Sequence, residues 1–378
     1  MNLAVITPEI GQPSETFIRR HILELSEHAV PVVYKYYNSD LWWEPEAETL
    51  CIEKQSNRMH WRMRRLARKC GYKLSLCPVD DWKRVDKFLK KQGVDTLLIE
   101  YLNQFVDWVP YAVSAGYRVV AHGHGIDMSA ALEDKYQCQR YLEVYSQGVD
   151  LVVPSEFAKK RLIEIGLPKK QIHIIPYGVE VSDAPVSQKK SSGPCRFLAV
   201  GRMVAKKSPI RMLESFRKSL ERGCDVSLDY VGDGPLMSAV RDFVDVSGLK
   251  PHVTLHGKQP SEKVMELMNQ ADVFVQHSIT DPVTGDQEGM PVAILEAMAH
   301  ALPVVSTRHA GIPEAVINNE SGLIVEEGDV DGMADGLVSL AADSNLRIKM
   351  GLAGQKRVSE NFTWEHEKNK LLNLLSQS

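Results

Sequence analysis
The chain has 378 residues, enough for two ordinary domains, and its 44% hydrophobic and 25% charged content is that of a folded globular protein rather than a disordered or fibrous one. A net charge of −4 gives no general case for a nucleic-acid partner. The six cysteines are scattered without a Cys-x-x-Cys pair or metal-ligand spacing, which reads as reduced thiols of a cytoplasmic protein.

The chain opens on an apolar strand, "NLAVITP", that runs straight into a loop, so the sequence shows no signal peptide, and no apolar run of membrane-spanning length follows. A helix is expected over "SETFIRRHILELSEH", with Ser14 placed to cap it. Further short apolar runs, "VPVVYKYY", "DTLLIEY", "RVVAHGHG", "DLVVPS" and "IHIIPYG", are mostly separated by helical stretches. One of these, "SEFAKKRLIEIG", is bounded by Ser155 and Gly166. Such alternation predicts an α/β fold, a parallel sheet covered on both faces.

Between Lys54 and Val79 there is no acidic residue, while "NRMHWRMRRLARKCGYK" is rich in Lys and Arg and carries Trp61. Two readings stand: contact of residues 54–79 with an anionic membrane surface, at the inner face of the membrane, or an ordinary solvated helix.

A polar, Ser/Lys/Pro-rich stretch follows Val181 and reads as a linker. After it the strand–helix alternation restarts. The expected layout is therefore an amino-terminal Rossmann-like domain over 1–182, a linker over 183–194, a second Rossmann-like domain over 195–360, and a terminal helix over 361–378 that packs back on the first domain. Doubly wound domains facing across a cleft would place ligands at the carboxyl ends of the strands, so the loops after strands matter most.

In "AVGRMVAKKSP" an apolar strand ends at Gly201, and Arg202 and Lys207 emerge from the next loop. A guanidinium fork and an ammonium suit a diphosphate, while a solvated basic loop is the plain alternative. Gly232 and Gly234 in "DYVGDGPL" permit positive φ or close backbone approach, as they would in any Gly-Asp-Gly turn. The most telling stretch is "GDQEGMPVAILEAMAHALPVVST". Pro291 fits a first helical position, so the amides around Gly289 and Met290 and the helix dipole would meet an anion. Glu288 precedes that helix and Glu296 lies in its second turn. Carboxylates beside so apolar a face either reach solvent, as a cap and a surface residue, or hold ligand hydroxyls.

The pattern E-G-M-P-V-x-x-x-E-A-M-A resembles the E-x7-E motif of retaining glycosyltransferases of family four, which have the GT-B fold. The resemblance runs in order through "GRMVAKKSP", "VGDGPL", "HG", "ALPVVSTRHAGIPEAV" and "SGLIVEEGD" and covers residues 195 to 365. "PSETFIRRHILEL" is similar to the amino-terminal region of exopolysaccharide-type members. The resemblance implies that Arg202 and Lys207 neutralise the donor diphosphate and that Glu296 binds the ribose hydroxyls. It also implies that Glu288 contacts the transferred sugar, helped by the segment Gly289, Met290, Pro291 and Val292 with its amides. In "AHGHGID" it makes His124 the catalytic-site histidine, with His122 second, and it puts Gly11 near the donor phosphate.

The implied enzyme is a retaining, metal-independent glycosyltransferase with no cofactor, using a nucleoside-diphosphate sugar (a UDP-sugar by expectation) and a glycan or lipid-linked acceptor. Metal independence agrees with the lack of an Asp-x-Asp motif at a nucleotide-binding strand. A dehydrogenase is disfavoured because no G-x-G-x-x-G opens either half. A non-catalytic or epimerase-type nucleotide-sugar protein, or a pyridoxal-phosphate-dependent phosphorylase, stays open on the same fold.

Overall fold
In a computed structural model that describes residues 1–12, 15–36, 43–53, 79–181 and 193–377, the chain divides into two units, Met1–Ile175 with Lys368–Ser378, and Pro176–Glu367. The first is built on β1 (Leu3–Thr7), β2 (Val32–Tyr36), β3 (Thr49–Glu53), β4 (Thr96–Glu100), β5 (Arg118–His122), β6 (Asp150–Val153) and β7 (Ile172–Ile174). These pair in parallel in the order β3-β2-β1-β4-β5-β6-β7. Every residue of β1 and of β4 is buried. That explains why both read as unbroken apolar runs: a parallel sheet with helices on both faces has no solvent side.

The second unit repeats the plan with β8 (Cys195–Val200), β9 (Val226–Val231), β10 (Val253–Gly257), β11 (Val273–Gln276), β12 (Val304–Thr307) and β13 (Gly322–Val325), in the order β10-β9-β8-β11-β12-β13. Both sheets have the Rossmann strand order, and in each the direction of winding reverses beside the first strand, between β1 and β4 and between β8 and β11. At such a point the loops leaving the two strands diverge and leave room for a ligand at the carboxyl ends. Each unit has its own core. Trp82, Phe105, Trp108 and Tyr145 are buried in the first, and Phe197, Phe216 and Met212 in the second.

Local signals explain the helix ends. Ser155 Oγ accepts from the Ala158 amide at the start of Glu156–Glu164, and Gly166, at φ +103°, closes that segment. The tail forms two helices, Ser344–Asn361 and Trp364–Leu375. The first helix is shorter than expected, Thr16–Leu23, with Glu15 at its cap, and Ser14 lies outside the described residues. Strand β3 was not anticipated; it sits at the sheet edge, where a five-residue segment needs only one neighbour. The basic stretch, residues 54–78, and nearly all of the linker lie outside the described residues. The four described cysteines are free. Among the described residues no helix is long and apolar enough to cross a membrane.

Candidate functional site
The second unit gathers most of the residues singled out in the sequence. After β8 the chain makes a short 3-10 turn, Ala205–Lys207, and Ser208 then takes a left-handed conformation (φ 40°) before the helix Pro209–Glu221. With three residues per turn, the 3-10 turn points its two adjacent lysines in different directions. Lys206, 7% exposed, puts its Nζ 3.1 Å from Asp286 Oδ1 and 3.1 Å from the Gln287 carbonyl oxygen. Lys207 turns to Glu288 Oε1 at 3.2 Å and to Gln276 Oε1, at the end of β11, also at 3.2 Å. The Lys207–Glu288 pair therefore stands at the point where the winding of the second sheet reverses.

Glu288 is buried (8% exposed). Burial pushes its carboxyl up, but Lys207 first and then Lys206 outweigh that and hold it down at about 2. Lys207 is lowered as well, because burial costs its ammonium more than Glu288 returns, and neighbouring Lys206 and Arg202 add repulsion. The backbone N–H of Glu288 donates to His309 Nε2 at 3.1 Å, while His309 Nδ1 lies 2.6 Å from Glu327 Oε1. Since Nε2 accepts, Nδ1 carries the proton and donates it to Glu327.

Glycines complete the same surface. Gly232 (φ +144°) and Gly234 (φ +156°) follow β9 in backbone conformations that side chains rarely adopt. A Cβ on Gly232 would fall on the Gly201 carbonyl oxygen, and one on Gly234 would lie 2.7 Å from that of Met203. The two loops thus touch backbone to backbone. Gly289 and Met290 are buried. Pro291 stands one place earlier than expected: its ψ of 112° makes it the residue before the helix, which begins at Val292. Glu296, in the second turn, is half-buried, and Arg202 is exposed and makes no ion pair among the described residues.

In the first unit His124 is buried in the loop after β5. Its Nε2 lies 2.7 Å from Glu100 Oε2, at the end of β4. Glu100 Oε1 lies 2.7 Å from His21 Nδ1, on the helix Thr16–Leu23, and His122 Nδ1 is 3.5 Å from Oε2. Asp127 pins the loop by accepting from the amides of His124, Gly125 and Leu102. Gly11 is buried at φ +76° in the loop after β1, the other strand flanking this sheet's reversal point. A separate groove of about 790 Å³, lined by Lys159, Lys169, Lys170, His173 and Lys370, contains none of the residues named from the sequence.

Residues 182–357 match the family model described as glycosyl transferases group 1. This segment is a glycosyl transferases group 1 domain. Over 255 residues it is 31% identical to WcaL of Escherichia coli (strain K12), named for colanic acid biosynthesis, and 29% identical to the amylovoran biosynthesis glycosyltransferase AmsK of Erwinia amylovora. Each match covers 67% of this chain and 62% of the relative, so the matched stretch spans less than two thirds of those proteins' length. In three dimensions the whole chain is similar to the whole of Anabaena HepE, whose crystal structure holds UDP and glucose, with a TM-score of 0.78 at 15% identity. The fold of the chain is accordingly GT-B, with two Rossmann-like parallel-sheet domains.

Sequence reasoning missed Lys206, Gln276, His309 and Glu327 around Glu288, and Glu100 and His21 around His124. "TRHAGIPEAV" and "IVEEGD" carried a signal for His309 and Glu327, since each places a charged or titratable residue two positions past the end of a strand. For Glu100 the only cue was a carboxylate closing an apolar strand.

Proposed function
We propose that the chain is a retaining, metal-independent glycosyltransferase of exopolysaccharide or glycolipid assembly, moving a sugar from a nucleoside-diphosphate donor to a hydroxyl of a glycan or lipid-linked acceptor. A UDP-sugar is the expected donor, and no cofactor is required. The observation that carries this reading is the buried Lys207–Glu288 pair at the reversal point of the second sheet, within the matched segment 182–357. The names of WcaL and AmsK, and the UDP and glucose in the HepE crystal structure, support the reaction class and the donor.

In this reaction the bond between the anomeric carbon and the diphosphate oxygen breaks, and negative charge grows on the departing phosphate. Arg202, without a carboxylate partner among the described residues, and the Lys207 ammonium neutralise it. One such preorganised donor is worth about 3 kcal/mol, on the order of a hundredfold in rate. Amides from Gly289 to Val292, at the start of the helix, add partial positive charge, with Gly201, Gly232 and Gly234 allowing close approach of the nucleotide. Glu288 contacts the transferred sugar and Glu296 the ribose hydroxyls. In the first unit Gly11 is a further substrate-binding residue and His124 is the catalytic-site histidine. The acceptor oxygen bonds the anomeric carbon on the face the phosphate leaves. Its proton passes to the departing phosphate oxygen, so configuration is retained and no metal is needed.

Thermal shift against UDP-, GDP-, ADP- and dTDP-sugars tests the donor. A ligand at a hundred times its dissociation constant stabilises by about 2.7 kcal/mol, which a melt resolves. Incubation of the stabilising sugar with candidate acceptors, with and without EDTA, then tests transfer. A donor that binds but is neither hydrolysed nor transferred would favour a non-catalytic binding protein, and isomerised sugar without acceptor an epimerase. Loss of activity with EDTA would remove the metal-independent mechanism.

A further inference from the structure
Glu100 is fully buried, and no lysine or arginine pairs with it among the described residues. Its neighbours are imidazoles: His21 from the helix Thr16–Leu23, His122 from β5 and His124 from the loop beyond. His, His and Glu within a few ångströms suggest a metal centre, but the spacing argues otherwise. Two ligands of one tetrahedral zinc, each about 2.1 Å from it, stand roughly 3.4 Å apart. Glu100 meets both His21 and His124 at 2.7 Å, a direct hydrogen-bond separation.

A carboxylate only accepts, so each nitrogen facing it carries a proton. We propose that Glu100 is a positioning residue: by accepting the Nε2–H of His124 it fixes that imidazole as the Nε2-protonated tautomer and leaves Nδ1 as the acceptor nitrogen. The inference rests on the reading of His124 as a catalytic-site residue. Burial raises the carboxyl of Glu100, but His21 and then His124 reverse this and hold it ionised, well below its usual range. Burial keeps His122 well below its own.

The surroundings hold the ring as well as its proton. Phe17, Tyr101 and His122 pack on His124 with ring centroids 4.4, 4.6 and 4.4 Å away. Tyr101 is itself locked: it follows Glu100 directly at φ +68°, unusual for an aromatic residue, and its hydroxyl donates to Glu15 at 2.8 Å. Asp127 fixes the His124 amide at 3.0 Å. Carboxylate, aromatic rings and loop therefore all specify one orientation of one imidazole.

The test is long-range proton–nitrogen NMR of the full chain labelled with ¹⁵N-histidine, at pH 8, with the His124 signals assigned by their absence in His124→Asn. We expect wild-type His124 to show a protonated Nε2 and an unprotonated Nδ1. Glu100→Gln should shift it to a mixture of tautomers and lower kcat on the order of a hundredfold or more, with the donor KM within about threefold. Glu100→Asp, which keeps an accepting carboxylate, should retain the wild-type tautomer. A wild-type ring protonated on Nδ1, or a Glu100→Gln protein with an unchanged tautomer, overturns the proposal, and the wild-type spectrum decides even if the glutamine variant fails to fold. If the tautomer is as expected but His124→Asn keeps full activity, the catalytic reading of His124 fails while Glu100's hold on the ring stands.

Discussion
The most exposing perturbation of the second unit is Glu288→Gln, which removes one charge from a buried pair and little volume. Glu288 is held at about 2 against an ordinary 4.5, a displacement worth about 3 kcal/mol of folding free energy near neutrality. For a unit of this size that corresponds to a drop in Tm of about 6–12 °C. The sign is fixed at both ends of the pH scale. A carboxyl whose folded pKa is depressed stabilises above its unfolded value and loses that contribution as pH falls from about 4.5 toward 2. Lys207, lowered by its own burial, falls further once Glu288 is gone, so the variant carries a penalty while the lysine is charged and sheds it as pH rises toward the ordinary lysine value. The gap between wild type and Glu288→Gln should therefore be widest near neutral pH and narrow toward both pH 3 and pH 10. Urea melts of both proteins across that range measure it. A gap of the same size at every pH, or one under about 1 kcal/mol at pH 7, would refute the ion pair as the element that organises this site.

Three further substitutions separate ligand chemistry from architecture. Arg202→Ala, at an exposed position without an ion pair among the described residues, should leave stability within about 0.5 kcal/mol while donor kcat/KM falls on the order of a hundredfold in a transfer assay. Gly232→Ala puts a methyl group on the Gly201 carbonyl at φ +144°, and should destabilise the second unit by about 3 kcal/mol or more in urea and abolish the donor-induced thermal shift. Ser155→Ala removes the cap of Glu156–Glu164, and should cost about 1 kcal/mol in chemical denaturation with donor affinity unchanged.

How far the sequence carried the argument depended on the distance over which a residue finds its partner. Ser155 and Gly166 bound one helix and were legible because caps act within a few residues. The buried strands were legible because a two-sided sheet demands apolar runs. Glu288 and Glu296 stood out because carboxylates beside "VAILEAMA" defy helical amphipathicity. Glu100 escaped notice for the opposite reason: a strand's last residue is commonly polar, and its partners lie 79 and 24 residues away. Likewise nothing local tells Lys206 from Lys207. Only the 3-10 turn that holds both sends one to Asp286 and the other to Glu288.

The buried carboxylates Glu288 and Glu100 have different partners, and the difference matters physically. An ammonium on a flexible stem is a point charge that can follow an incoming diphosphate, and Glu288 is matched with two of them. An imidazole is planar and has two distinguishable nitrogens, so a carboxylate beside it selects a tautomer and an orientation rather than merely a charge. Under the proposed function, the second unit offsets charge that appears during reaction, and the first presents one nitrogen in one direction. Salt should tell them apart. Arg202 is exposed, so its proposed pull on a diphosphate should weaken as ionic strength rises, whereas the contact of Glu100 with His124 is sealed from solvent and is not screened. Raised salt should therefore increase the donor KM of the wild type while leaving the His124 tautomer unchanged.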